Sequence, residues 1–208
     1  RSTGINPILS EGKKTVSLEI AEQLNWQSPD HVFVPVGDGC IIGGVYKGFY
    51  DLFKLGWIEK IPKIYAVQSN GSSAIINALS TGTLSAVNAS TIADSISVDL
   101  PRDGLKAIRA VTESNGTGIK VSDIEILNAQ HTLAKTTGVF AEPAAATGFA
   151  GLEKSSIKGL ISSNESAVVL VTGTGLKDIH SAQQLVQIPD AINPNIDSFK
   201  KNWRKIGG

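Results

Sequence analysis

The sequence contains no methionine and only one cysteine, Cys40, among its 208 residues. A single cysteine excludes an internal disulfide framework and favours a reducing compartment, so we expect a cytoplasmic protein. No apolar run reaches the roughly 18 residues of a membrane-spanning helix, and we therefore expect no membrane partner. The 19 basic residues balance the 19 acidic residues, so nothing in the overall charge suggests binding to nucleic acid.

Two further absences concern metals and processing. The three histidines, His31, His131 and His180, are scattered without the spacing of metal ligands, and we predict no metal site. The sequence opens on Arg1 without an apolar signal core. This start and the lack of methionine predict that the chain is a piece of a longer protein.

Apolar residues make up 41% of the chain and the mean hydropathy is +0.06, values typical of a globular protein with a substantial core. Predicted strands and helices alternate along the sequence. The strands are expected at residues 31–36, 62–68, 118–121 and 167–171, and the helices at 14–24, 44–55, 72–79, 103–114, 122–138 and from 143 onward. This alternation predicts an α/β fold with a parallel sheet flanked by helices, in three αβα layers.

Some of these boundaries follow from local signals. Ser122 and Glu125 in SDIE form a capping box, which predicts a helix start. The strand at 167–171 (AVVLV) has no polar residue and is expected to be fully buried. We assign residues 1–189 to one domain portion and residues 190–208 to a tail that is helical around 196–203.

Glycine-rich loops follow the first and last predicted strands, in GDGCIIGG and TGTG. Ligands of open parallel sheets bind beyond the carboxyl ends of the strands, and a helix start offers amide groups and a positive dipole end to a phosphate. Residues 37–41 are therefore a candidate phosphate site, although glycines also serve simply as turn residues. Neither a P-loop nor a G-x-G-x-x-G dinucleotide motif is present, since Ile42 replaces the third glycine.

Two polar residues of these loops have alternative interpretations. Asp38 must direct its carboxylate away from a bound anion, for which capping the following helix is one solution. Thr172 offers a hydroxyl either to a ring atom of a ligand or to the local backbone of a turn. Cys40 is better interpreted as a small buried turn residue than as a reactive thiol.

Five segments occur in the order typical of one enzyme family: NPILSEGKKTVSLEIAEQL, VPVGDGCIIGGVYKGF, TIADSISVDLPRD, GVFAEPAAATGFAGL and VVLVTGTGLKD. Together they resemble the C-terminal portion of threonine synthases, which are pyridoxal-phosphate enzymes of fold type II, with a tryptophan-synthase-β-like fold. The resemblance extends over residues 6–189. It implies a lyase that converts O-phospho-L-homoserine and water to L-threonine and phosphate.

The resemblance also implies roles for individual residues. The phosphate of pyridoxal 5'-phosphate would be held by Gly37, Asp38, Gly39, Cys40 and Ile41. Thr172 would meet the pyridine nitrogen, where a hydroxyl, unlike a carboxylate, gives a milder electron sink. Glu142 either approaches this pocket or caps the helix that follows it.

The family attaches its cofactor as a Schiff base to a lysine well upstream of the phosphate loop. Only 36 residues precede Gly37, and the lysines among them, Lys13 and Lys14, belong to the EGKKT motif. We therefore expect that lysine upstream of Arg1 and no catalytic residue in this chain, with Lys177 a solvated lysine at a helix start. The implied partners are an amino-acid substrate, the N-terminal part of the same enzyme and a second subunit in a homodimer.

Two positions depart from the family pattern, and they leave alternatives open. Leu9 stands where many threonine synthases carry an arginine that helps to hold the phosphate of the substrate, and Gly4 where a serine is common. An apolar side chain cannot replace a bidentate donor. One alternative is a related ammonia-lyase or β-replacing enzyme that acts on serine, threonine, diaminopropionate or phosphoserine. Another is an inactive fragment without the Schiff-base lysine.

Overall fold

The computed structural model describes residues 4–184, 186 and 191–206. Within these residues one sheet of four strands forms the centre of the molecule. The strands are β1 (His31–Pro35), β2 (Lys63–Ser69), β3 (Gly118–Val121) and β4 (Ala167–Val169). Their order across the sheet is β3-β2-β1-β4, and every neighbouring pair is parallel. The predicted parallel α/β sheet is confirmed.

Helices connect the strands and cover both faces of the sheet. The α-helices are α1 (Pro7–Glu11), α2 (Thr15–Gln23), α3 (Cys40–Lys54), α4 (Ala74–Thr81), α5 (Gly104–Glu113), α6 (Asp123–Thr137), α7 (Pro143–Ile157), α8 (Ile179–Gln183) and α9 (Ile196–Ile206). Short 3-10 helices occur at Gly12–Lys14, Asp94–Ile96 and Gly175–Lys177. None of the helices in the described ranges combines the length and apolar character that crossing a membrane requires.

The alternation of side chains along β1 divides the core into two layers. Val32 and Val34 pack with apolar residues of α2, α3 and α5, whereas Phe33 packs with residues of α6 and α7 on the opposite face. Successive side chains of a strand point to opposite faces, so one strand serves both layers. All five residues of β1 are buried, as expected for a central parallel strand covered on both sides. This arrangement confirms the three αβα layers.

The capping box predicted for α6 is present. The Ser122 hydroxyl accepts a hydrogen bond from the Glu125 amide at 3.2 Å, and the Glu125 carboxylate accepts one from the Ser122 amide at 2.6 Å. The helix ends at Gly138, whose φ of 76° is left-handed. Residue chemistry at both ends therefore sets the length of this helix.

Two local predictions were wrong. The strand predicted at 167–171 is shorter and is not fully buried: Ala167 is exposed, and Val168 and Val169 are partly exposed. The physical reason is its position, since within the described residues β4 pairs only with β1 and lies at the edge of the sheet. Helix α3 begins at Cys40 rather than near residue 44, so Cys40 and Ile41 belong to its first turn. The predicted boundary at 189–190 lies outside the described residues.

Asp30 holds three strands together where they begin. Its carboxylate accepts hydrogen bonds from the amide and hydroxyl of Ser166, which precedes β4, at 2.8 and 2.9 Å. Lys60, which precedes β2, lies 2.5 Å from the other carboxylate oxygen. These contacts, first that of Lys60, hold the pKa of Asp30 well below its ordinary range. These contacts of Asp30 lie at the N-terminal end of β1, whereas the glycine loop follows its C-terminal end.

We expect Asp30→Asn to lower the free energy of unfolding by about 1–2 kcal/mol at neutral pH, because an amide loses the charge that Lys60 and Ser166 favour. A depressed folded-state pKa gives stability that is present above the unfolded-state pKa, about 3.9, and is lost as the pH falls through the folded value. Urea unfolding of both proteins from neutral to acidic pH measures this. A stability difference that stays constant down to acidic pH would contradict the charge-based role.

Candidate functional site

The turn from β1 to α3 has a backbone that tolerates no side chain at two positions. Gly39, the N-cap of α3, has a φ of 92°, a left-handed conformation that favours glycine. A Cβ on Gly37 would lie 2.9 Å from the Cα of Ile96, closer than real Cβ contacts come. The backbone is therefore bare at Gly37 and Gly39, on either side of Asp38, and the first amides of α3, which have no carbonyl partner within the helix, follow at once. This shape suits a phosphate group.

The six residues predicted to bind the cofactor line one cavity of about 330 Å³. Its wall at the start of α3 consists of Gly37, Asp38, Gly39, Cys40 and Ile41, and Thr172 contributes from the segment after β4. The structure therefore brings together two loops that are more than 130 residues apart in sequence. Further wall residues are Lys13, Ser95, Ile96, Val98, Glu142 and Lys177.

Asp38 is bonded to the loop that leads into α5. Its Oδ1 accepts a hydrogen bond from the Arg102 amide at 3.1 Å, and its carbonyl accepts one from the Asp103 amide at 2.9 Å. The suggestion that Asp38 caps α3 was wrong, because Gly39 occupies the N-cap and α3 has no side-chain cap. The carboxylate instead fixes the neighbouring loop.

Thr172 and Glu142 are held next to each other by a short backbone ladder. The Glu142 amide donates to the Gly173 carbonyl at 3.1 Å, and the Gly175 amide donates to the Phe140 carbonyl at 2.9 Å. Glu142 is the N-cap of α7, but its side chain forms no capping hydrogen bond. Of the two interpretations of Glu142, the structure therefore supports the one in which it faces the pocket.

Lys177 is exposed, as expected of a solvated lysine, and it also pairs with a carboxylate of the cavity wall. Although its side chain is 58% exposed, its Nζ lies 3.5 Å from Oε1 of the buried Glu142 carboxylate. Ser95 donates a hydrogen bond to the other oxygen of Glu142 at 3.5 Å. The acidic group in this wall is thus paired with a cation and a hydroxyl, which limits its repulsion of a bound anion.

Residues 91–98 form a part of the cavity wall for which no binding residue was predicted. Ser72 holds this segment by donating to the Ile96 carbonyl at 3.0 Å and accepting from the Val98 amide at 3.0 Å. Asp123 accepts from the Thr91 hydroxyl at 2.6 Å and anchors its other end. Asp94 begins the 3-10 helix within this segment. The family-like TIADSISVDLPRD motif was the one available signal that this connection has a specific role.

The chain matches the model of the family described as pyridoxal-phosphate dependent enzyme over residues 1–173. The chain belongs to this family. Members use pyridoxal 5'-phosphate, and the bare backbone beside a helix start fits its phosphate. Within the described ranges, no cluster of His, Cys, Asp and Glu side chains is arranged to hold a metal ion.

Curated relatives give a finer comparison. The chain is 38% identical over 205 residues to a threonine synthase of Methanocaldococcus jannaschii, covering 97% of this chain and 51% of the relative. It is 38% identical over 200 residues to a threonine synthase of Methanosarcina acetivorans, covering 95% and 49%. The chain therefore spans about half the length of these relatives.

Solved structures of the family share the fold. A fungal L-serine ammonia-lyase from Rhizomucor miehei superposes with a TM-score of 0.73 at 24% identity, over 88% of this chain and 58% of that one. A processed threonine deaminase isoform from Solanum lycopersicum superposes with a TM-score of 0.70 at 23% identity, over 88% and 51%. At these identities the likeness shows the fold alone.

We expect Gly39→Ala to cost clearly more stability than Gly138→Ala, a matched control. Both glycines have left-handed φ values, so each substitution pays roughly 1–2 kcal/mol of backbone strain. At Gly138 nothing lies within 4 Å of the added Cβ, whereas at Gly39 it would lie 2.7 Å from the Asp103 carbonyl oxygen. Urea unfolding of the two variants gives the difference. Equal losses would show that the close approach of Asp103 does not constrain the turn.

Proposed function

We propose that the full-length protein is a pyridoxal-phosphate-dependent lyase that converts O-phospho-L-homoserine and water to L-threonine and phosphate. The observation that carries this proposal is the cavity in which the glycine turn, the first turn of α3 and Thr172 meet, in a chain 38% identical to threonine synthases. When bound, pyridoxal phosphate supplies an electron sink for charge that develops beside the amino-bearing carbon.

We assign the cofactor contacts as follows. Gly37, Asp38, Gly39, Cys40 and Ile41 provide the cradle of the phosphate, through their backbone and through the dipole at the start of α3. Thr172 presents its hydroxyl to the pyridine nitrogen, and because a hydroxyl is not an anion it does not favour protonation of that nitrogen. Glu142, which is fixed beside Thr172 by the backbone ladder, gives the same wall a polar surface.

Lys13 is the residue that we propose to compensate for Leu9. Leu9 is 40% exposed and is absent from the cavity wall, whereas Lys13, one helical turn later, lines it. The Lys13 ammonium donates to the Leu9 carbonyl at 3.3 Å, and its stem packs closely against Gly44 of α3. The Lys13 ammonium thereby places a cation at the cavity. Lys13 belongs to the NPILSEGKKT segment, and the corresponding segment of many threonine synthases carries an arginine.

The remaining parts of the active site are proposed to come from outside this chain. Both cavity lysines have other proposed roles, since Lys177 pairs with Glu142 and Lys13 is assigned to the phosphate of the substrate. We therefore propose that the cofactor-bearing lysine belongs to the N-terminal part of the same protein, that the enzyme is a homodimer and that it is cytoplasmic. Borohydride reduction followed by peptide mapping tests the attachment: label on a lysine of this chain would contradict it.

The substrate is tested with the purified full-length protein. With O-phospho-L-homoserine we expect release of phosphate and formation of threonine in equal amounts. The alternative substrates tested beside it are serine, threonine, diaminopropionate and phosphoserine, and assays for ammonia and keto acids detect their turnover. These assays address the ammonia-lyase alternative, which the exposed apolar side chain of Leu9 favours. Turnover of unphosphorylated serine or threonine without phosphate release from phosphohomoserine would replace the threonine synthase assignment by that alternative.

We expect Lys13→Ala to raise KM for O-phospho-L-homoserine roughly tenfold or more, because a hydrogen-bonded cation is lost from the phosphate of the substrate. Lys14→Ala is the matched control, since Lys14 pairs with Glu11 and Asp51 instead of lining the cavity. Steady-state kinetics and the dissociation constant for pyridoxal phosphate are measured for both variants. Weaker cofactor binding with an unchanged KM would assign Lys13 to the cofactor phosphate instead.

A further inference from the structure

Asp103 is a buried carboxylate that lies directly behind the phosphate cradle. Its side chain is 6% exposed and accepts a hydrogen bond from the Ser10 hydroxyl at 2.8 Å. The Lys106 ammonium lies 2.8 Å from its other oxygen, and the Cys40 thiol also donates to it. Burial opposes its ionisation, but these three donors outweigh burial and lower the pKa of Asp103. The charge is therefore retained inside the fold.

The backbone of Asp103 contacts the same cradle. Its amide donates to the Asp38 carbonyl at 2.9 Å, and its carbonyl oxygen lies where a Cβ on Gly39 would approach to 2.7 Å. Asp38, Gly39 and Cys40 are thus each contacted by one residue, through its amide, its carbonyl and its carboxylate. Asp103 therefore joins three successive residues of the cradle to the start of α5.

Helix capping does not explain this carboxylate. Asp103 is the N-cap of α5, the position at which an aspartate ordinarily accepts a hydrogen bond from the amides of the first helical turn. Here the side chain makes no such bond. It is turned instead toward Cys40 at the start of α3 and toward Ser10 in α1, which belongs to the NPILSEG segment on the proposed substrate side.

We propose that Asp103 is a positioning residue that fixes the orientation of the cofactor-phosphate cradle and its distance from helix α1. The inference rests on the proposed role of residues 37–41 in holding the phosphate. Asp103 itself does not touch the phosphate. It acts by holding Cys40 and Asp38, and through them the first amides of α3.

Whether a substitution of Asp103 weakens or strengthens phosphate binding distinguishes a positioning role from a purely electrostatic one. Removing a negative charge behind an anion site reduces repulsion and, by Coulomb's law alone, strengthens phosphate binding. Removing an acceptor that orients the cradle weakens phosphate binding, because hydrogen bonds from misaligned amides lose strength steeply. Asp103→Asn is nearly isosteric, but it removes the charge and replaces one of the two acceptor oxygens, both of which receive donors here, by a donor. The two accounts therefore predict opposite results for this variant.

The experiment compares Asp103→Asn with Asp30→Asn, a matched control that removes a well-bonded carboxylate at the other end of β1. In the full-length protein, apoenzyme is titrated with pyridoxal phosphate, and the phosphorus-31 NMR signal of the bound cofactor is recorded. In the same full-length protein, hydrogen exchange is followed at the Gly43 amide, which donates to the Gly39 carbonyl at 3.1 Å. Cys40→Ser and Cys40→Ala then test the thiol contact, since serine keeps a donor and alanine does not.

We expect Asp103→Asn to weaken pyridoxal phosphate binding roughly tenfold or more, to shift the phosphorus signal and to speed exchange at Gly43. Asp30→Asn should leave cofactor binding and the phosphorus signal unchanged, and Cys40→Ser should bind the cofactor more tightly than Cys40→Ala. Unchanged or tighter binding by Asp103→Asn, with unchanged exchange at Gly43, would overturn the proposal. If the wild-type protein binds no pyridoxal phosphate, the cofactor assignment fails, and exchange at Gly43 still decides whether Asp103 orders the turn.

Discussion

The close approach of three backbone segments at the end of β1 is the constraint on which the site depends. Gly37 lies against Ile96, and Gly39 lies against Asp103, at distances that leave no room for a Cβ. These contacts join the turn to two separate loops, at residues 95–98 and 101–103. The shape of the proposed phosphate cradle therefore depends on packing between loops, in addition to the conformational freedom of glycine.

The carboxylates near the cavity are held in ways that keep an anion site workable. Asp38 is bonded to a backbone amide, Glu142 to Lys177 and Ser95, and Asp103 to three side-chain donors. Each negative charge thus has local partners, which reduces its repulsion of an anion at the start of α3. The two cavity lysines add positive charge from distant parts of the chain. The acidic residues are therefore compatible with the proposed phosphate cradle.

Sequence reasoning predicted the three layers, the alternation of strands and helices along the chain and the two glycine loops, because hydrophobic periodicity and glycine punctuation are local signals. It placed Cys40 in a loop because the helix-breaking glycines of GDGCIIGG obscure where α3 begins. It treated β4 as buried because composition cannot distinguish an edge strand from a central one. The roles of Ser95, Lys177 and Asp103 depend on contacts between distant segments. Single-sequence patterns do not contain such contacts, so these roles required coordinates.

The position of β4 has a consequence for the order in which the molecule folds. Strands β1, β2 and β3 and the helices between them follow one another along the chain, whereas β4 returns to β1 across 136 residues, the separation between Asp30 and Ser166. Closing so long a loop costs entropy that is recovered only when the partner strands meet. Residues 37–41 therefore leave the ribosome well before Thr172, the residue that completes the wall of the cavity from the far side of β4.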